Sequence, residues 1–65
     1  INVSPVDFIL EYRMQLAERL LKGSTKTVSE VITLCGFRNR SFFYREFARR
    51  YNCLPKEFRQ QTDKQ

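Results

Sequence analysis

The side chains with the most to offer chemically lie between Arg38 and Arg50. Five arginines (Arg38, Arg40, Arg45, Arg49 and Arg50) are interleaved there with Asn39, Ser41 and Tyr44. One acid, Glu46, opposes them, so residues 36–50 carry +4 of the chain's net +5; residues 1–35 balance to zero and the tail from Tyr51 adds +1. A guanidinium is a rigid fork of N–H donors that fits both phosphate oxygens and the O6/N7 edge of guanine. A positive field concentrated on one short segment favours a polyanionic partner, although a solvated basic face has the same composition.

No other chemistry competes with this. The chain has two cysteines and no histidine, whereas a zinc site normally takes four Cys, His or carboxylate ligands, so no metal is expected. No serine or cysteine stands in motif spacing with a base, and no glycine-rich loop could cradle a phosphate. Neither enzyme activity nor a cofactor is expected. Cys35 falls in an apolar helical pattern and reads as a small core residue, while Cys53 lies in a turn. Both are expected as reduced thiols in a cytoplasmic protein. No apolar run approaches the roughly eighteen residues of a membrane span, and no signal-peptide pattern opens the chain. Sixty-five residues make one small domain at most, and a start at Ile1 rather than methionine points to an excised piece.

The arginines need an element to carry them. Phe43, Phe47, Ala48 and Tyr51 recur at spacings of three and four, which predicts a helix from about Arg40 to Tyr51 with one apolar face. Arg40, Ser41, Tyr44, Arg45 and Arg49 fall largely away from that face. Asn39 is placed to cap its start, and Gly36 to end the preceding helix in a left-handed conformation. That helix, Val28 to Cys35, opens on a capping box of Thr27 and Glu30 and puts Val28, Val31, Ile32 and Cys35 on one side. Two short helices, a glycine-bearing turn and a basic second helix make a helix-turn-helix, whose second helix suits the major groove of duplex DNA.

Upstream, Ser4 caps and Pro5 opens a long helix to Lys22, with Gly23 as its stop. Its apolar residues (Phe8, Ile9, Leu10, Tyr12, Met14, Leu16, Ala17, Leu20 and Leu21) cover more of its girth than so short a chain can bury. Residues 24–26 are a short linker. Downstream, Asn52 tolerates a left-handed turn, Pro55 begins a last helix to about Gln61, and residues 62–65 are expected to fray. The fold class is all-α: a long helix, a helix-turn-helix and a short C-terminal helix, a homeodomain-like three-helical unit.

Asn2, Pro5, Asp7 and Phe8 are echoed fifty residues later by Asn52, Pro55, Glu57 and Phe58. So short a pattern can match by chance. Otherwise residues 1–8 are the tail of one helix-turn-helix unit and residues 52–58 the tail of a second.

These residues resemble the C-terminal part of the DNA-binding domain of AraC/XylS-type bacterial transcription regulators. The likeness rests on Ser4-Pro5 with Phe8-Ile9, Arg13 with Ala17 and Leu20-Leu21, and Val28, Glu30 and Val31 leading to Gly36-Phe37. It continues through Ser41-Phe42-Phe43, Arg45 and Phe47 to Pro55 with Phe58-Arg59. It implies a partial domain over 1–65, with a linking helix at 4–22, the second helix-turn-helix at 27–51 and a closing helix at 55–61. The first helix-turn-helix unit of the pair is missing from this stretch. The Ser4, Pro5, Asp7 and Phe8 spacing is most similar to versions found in hybrid two-component regulators.

The resemblance also implies that Arg40, Ser41, Tyr44 and Arg45 enter the major groove, in a cytoplasmic bacterial protein that is nucleoid-associated when bound. Double-stranded DNA is the expected partner, with RNA polymerase a candidate second one. The chain departs from the family at Asn52, where glycine is common, and at Leu54, which cannot cap the last helix through a side-chain oxygen. Tyr44 is bulky for a groove-facing position.

Residue by residue, Arg45 and Arg40 are either bidentate guanine contacts or ordinary surface arginines. Arg38, Arg49 and Arg50 read as phosphate contacts, because contacts to the backbone outnumber those to bases. Ser41, Asn39 and Thr27 are candidates to present donors to phosphate near helix starts. Phe37, Phe42, Phe43, Phe47, Tyr51 and Phe58 read as core rather than as stacking platforms for single strands. Arg13 is expected to bridge to Glu30. The rival reading is a helical protein-interaction module that docks through the apolar first helix.

Overall fold

Ser4 Oγ accepts the N–H of Asp7 at 3.1 Å, and Pro5 follows in the first turn, where its missing N–H costs nothing. This start launches α1, Pro5–Gly23, the first element of a computed structural model that describes residues 4–63. Three more helices follow: α2, Val28–Leu34; α3, Arg40–Tyr51; and α4, Pro55–Asp63. The described residues are all helix and turn, as the apolar periodicity predicts.

Each junction has a local cause. At the end of α1, both the N–H and the hydroxyl of Ser24 donate to Leu20 O, at 3.1 and 2.7 Å. The Arg59 guanidinium reaches from α4 to Leu21 O at 3.0 Å and Ser24 O at 3.4 Å, satisfying carbonyls that a helix end leaves open. Gly23, expected as the stop just after Lys22, is the last helical residue, with Ser24 and a distant arginine doing the capping.

The capping box at α2 is complete. Glu30 N donates to Thr27 Oγ1 at 3.1 Å, and Thr27 N donates to Glu30 Oε1 at 2.8 Å. That second bond occupies the carboxylate expected to bridge to Arg13, and no ion pair joins Arg13 to Glu30. The Arg13 guanidinium lies instead against Gly36. Cys35, expected in the helix, is its C-cap. Gly36 has φ +86, with Gly36 N donating to Thr33 O at 3.0 Å and Phe37 N to Ile32 O at 3.1 Å. This paired pattern is a Schellman motif, and it turns the chain sharply between α2 and α3.

Asn39 Oδ1 then accepts the N–H of Phe42 at 3.0 Å and starts α3. Asn52, at φ 59, closes it, with its N–H on Ala48 O at 2.9 Å. Leu54 offers no side-chain oxygen to α4, but Glu57 Oε1 reaches back to accept Leu54 N–H at 2.9 Å. Half a capping box therefore remains. The helix runs on to Asp63, past the expected end at Gln61 and through two residues of the expected frayed tail; Lys64 and Gln65 lie outside the described residues.

The core is Met14, Ala17 and Leu21 of α1, Val31, Ile32 and Cys35, Phe37 of the turn, and Phe43 and Phe47 of α3. An aromatic chain runs through it. Phe37 and Phe43 centroids are 5.0 Å apart, Phe43 and Phe47 5.7 Å, Phe47 and Tyr51 4.5 Å, and Phe47 and Phe58 5.5 Å. Burying one such ring fully contributes about 1.5–3 kcal/mol. Phe43 and Phe47 thus fix the rotation of α3 about its own axis, and with it the direction in which the other face looks.

Candidate nucleic-acid interface

With Phe43 and Phe47 turned inward, a strip of Ser41, Arg45 and Arg49 runs along the outer side of α3 at spacings of four, all three exposed. Arg45 makes no hydrogen bond or ion pair among the described residues, so its guanidinium fork is open to an incoming acceptor. Arg49 is 65% exposed and pairs with Glu46, Nη2 to Oε1, at 2.8 Å. The Glu46 carboxyl is held below the usual carboxylate range, first by that hydrogen bond.

The other candidates divide by how they are held. Arg40 opens α3 and donates through Nη2 to Ser29 Oγ of α2, so it sits at the seam between the two helices. Tyr44 is half-buried, its ring edge-on to Phe43 at 5.8 Å. The core thereby takes up part of its bulk. Arg38 is exposed in the turn and lines a groove with Asn39. The side chains of Asn39 and Thr27 are both committed to caps, so what they can offer a ligand is the helix starts they stabilise. Arg50 faces a different way. It donates through Nη1 to Glu11 of α1, stands 3.9 Å through Nε from Glu46 Oε1, and is only 22% exposed. It ties α3 to α1, and Glu11 is held below the usual carboxylate range chiefly by that contact.

The fold therefore brings Arg40, Ser41, Arg45, Arg49 and the edge of Tyr44 to one side of α3, with Arg38 beside them, and draws Arg50 away. Ser29 and Glu11 are the partners that sequence reasoning missed. They lie 11 and 39 residues from the arginines they meet, where no helical spacing connects them. Glu46 was legible, since acids three and four residues before a base share a helix side. Among the described residues no group of His, Cys, Asp or Glu could hold a metal ion, and no helix is long and apolar enough to cross a membrane.

α2, a turn held by Gly36 and a basic α3 whose Phe43 and Phe47 share one core with α1 define the helix-turn-helix class. A family described as helix-turn-helix domain matches residues 1–61. The chain is 33% identical over 57 residues to a probable transcriptional regulator, LumQ, of Photobacterium leiognathi, covering 88% of this chain and 23% of that protein. It is 34% identical over 62 residues to the transcriptional regulator ExsA of Pseudomonas aeruginosa, covering 95% and 22%, and 31% identical to the transcriptional activator RhaS of Escherichia coli, covering 95% and 22%. The chain belongs to this helix-turn-helix family, and its relatives place it with the AraC-type transcription regulators. It spans less than a quarter of the length of these relatives. No solved structure matches it.

Proposed function

We propose that this chain binds double-stranded DNA with sequence preference, as part of a bacterial transcription regulator working in the cytoplasm. α3 lies in the major groove. Arg45 carries the reading: it is exposed, makes no hydrogen bond or ion pair among the described residues, and stands at the middle of a strip whose rotation is fixed by Phe43 and Phe47. Arg40, Ser41 and Tyr44 reach base edges beside it, with Arg40 turning from Ser29 to do so. Arg38, Arg49 and the helix starts capped by Asn39 and Thr27 meet phosphate. Arg50, expected from its position in the sequence to join the phosphate contacts, acts instead as a strut to α1.

The face of α1 away from the core supports a second part of the reading. Val6 is 74% exposed, Phe8 68% and Tyr12 58%. A groove of about 880 Å³ takes in Val6, lined further by Ile9, Leu10, Phe37 and Phe42 together with Arg13, Arg38 and Asn39. In the echoed motif, Phe58 packs on Phe47 and Tyr51 at 5.5 and 5.2 Å. By that equivalence Phe8 is the anchor for the aromatic core of a preceding helix-turn-helix unit, so that two units share α1 and read adjacent stretches of duplex.

Backbone amide shifts of the isotopically labelled chain, followed as a duplex is added, test this directly. The DNA reading expects movement from Thr27 to Ser29 and from Arg38 to Arg49, with Val6 to Tyr12 unmoved. Movement confined to the first half of α1 on addition of a partner protein, polymerase included, with none on addition of duplex, would transfer the function to protein docking.

A further inference from the structure

One carboxylate oxygen on α3 has two arginines within reach and satisfies only one of them. Glu46 Oε1 accepts from Arg49 Nη2 at 2.8 Å and stands 3.9 Å from Arg50 Nε, too far for a hydrogen bond. Arg50 Nε is buried and has no hydrogen-bond partner, although Nη1 of the same guanidinium is held by Glu11. A buried donor left open is unfavourable, so a second arrangement of Glu46, turned onto Arg50 Nε, has something to gain. Among the described residues Arg49 is exposed and has only Glu46 to hold it, and Arg45 makes no hydrogen bond or ion pair.

We propose that Glu46 is a positioning residue for Arg49: it holds Arg49 off the phosphate backbone in the free protein and turns to the open Arg50 Nε–H when a phosphate takes Arg49. This rests on the duplex-binding reading and deepens it. The exchange costs the Arg49 contact part of its strength. That contact is blind to sequence, so the loss falls equally on every duplex. Glu46 thereby lowers the affinity for duplex in general and leaves the choice of sequence to the base-facing side chains.

The test is a double-mutant cycle on binding of a mixed-sequence duplex at low salt, read by fluorescence anisotropy, with thermal unfolding checked for every variant. Glu46→Gln is expected to tighten binding about threefold in the wild-type background, the scale of an exposed ion pair. It is expected to do nothing measurable in an Arg49→Ala background, where there is no side chain to release. An equal gain in both backgrounds means plain repulsion between Glu46 and DNA and overturns the inference, as does no gain in either. Glu46→Ala replaces Glu46→Gln should the amide variant unfold. Wild-type protein that does not bind duplex at all overturns the reading beneath, and the inference with it; binding without coupling overturns the inference alone.

Discussion

At the scale of single residues, the two glycines show how little residue type alone decides. Gly36 sits at φ +86, and a Cβ built there would lie 3.3 Å from Arg13 Nε. An L-residue in that conformation costs about 1–2 kcal/mol, so Gly36→Ala should lower the denaturant midpoint by that order. Gly23 has nothing within 4 Å of an added Cβ and ends a regular helix. Gly23→Ala should stabilise by about 0.5–1 kcal/mol. The sequence marks both as helix stops; only Gly36 takes the left-handed stop conformation, while the end of α1 is closed by Ser24 locally and by Arg59 from 35 residues or more away. The arginines divide in the same way. Arg45→Ala should weaken duplex binding by about tenfold or more, the scale of a bidentate base contact, and leave the unfolding curve in place. Arg50→Ala should shift the unfolding curve, because it removes the strut to Glu11 and Glu46 and leaves Glu11 without its guanidinium partner. Equilibrium unfolding beside duplex titration separates the two behaviours.

At the scale of elements, the caps carry most of what the sequence made legible. Ser4, the Thr27–Glu30 box, Asn39 and Asn52 all sit where residue type and spacing put them, because a cap is a local hydrogen bond over two to four residues. Element ends that depend on tertiary contacts were not legible in this way: α1 closes on α4, and α4 extends past Gln61. Leu54, which leaves α4 with only the Glu57 half of a capping box, is half-exposed and loses little if replaced. Leu54→Thr should complete the box and raise stability by about 0.5–1 kcal/mol in denaturant unfolding. The carboxylates at these junctions also set an acid limit. Glu30 is held below its ordinary range by the Thr27 N–H, Glu11 by Arg50 and Glu46 by Arg49. A lowered folded pKa means stability that is present above the unfolded value and lost as pH falls through the folded one. The thermal midpoint should therefore hold near neutrality and decline below about pH 5. Glu30→Gln should make that decline shallower.

At the scale of the whole molecule, the fold divides its surface into a cationic side on α3 and an apolar side on the first half of α1. The sequence showed both, through the charge concentrated in residues 36–50 and through an α1 too apolar for its company. It could not show which arginines the fold keeps for itself, since Glu11 and Arg50, 39 residues apart, meet only in the folded chain. The apolar side predicts that Phe8→Ser with Ile9→Ser will leave the unfolding curve of this chain nearly unchanged, both residues being exposed. The same pair should destabilise a longer protein that carries the proposed preceding unit.

The central claim is that α3 reads duplex DNA through its outer strip. The most direct measurement is the affinity of the folded chain for a mixed-sequence duplex across a salt series, beside an Arg40→Ala/Arg45→Ala variant. Each phosphate neutralised contributes about −0.9 to the slope of log affinity on log salt. The account predicts a steep fall from low to physiological salt, and weaker binding by the variant at every point. A folded chain that ignores duplex at low salt, or binds it equally well without Arg40 and Arg45, would contradict it.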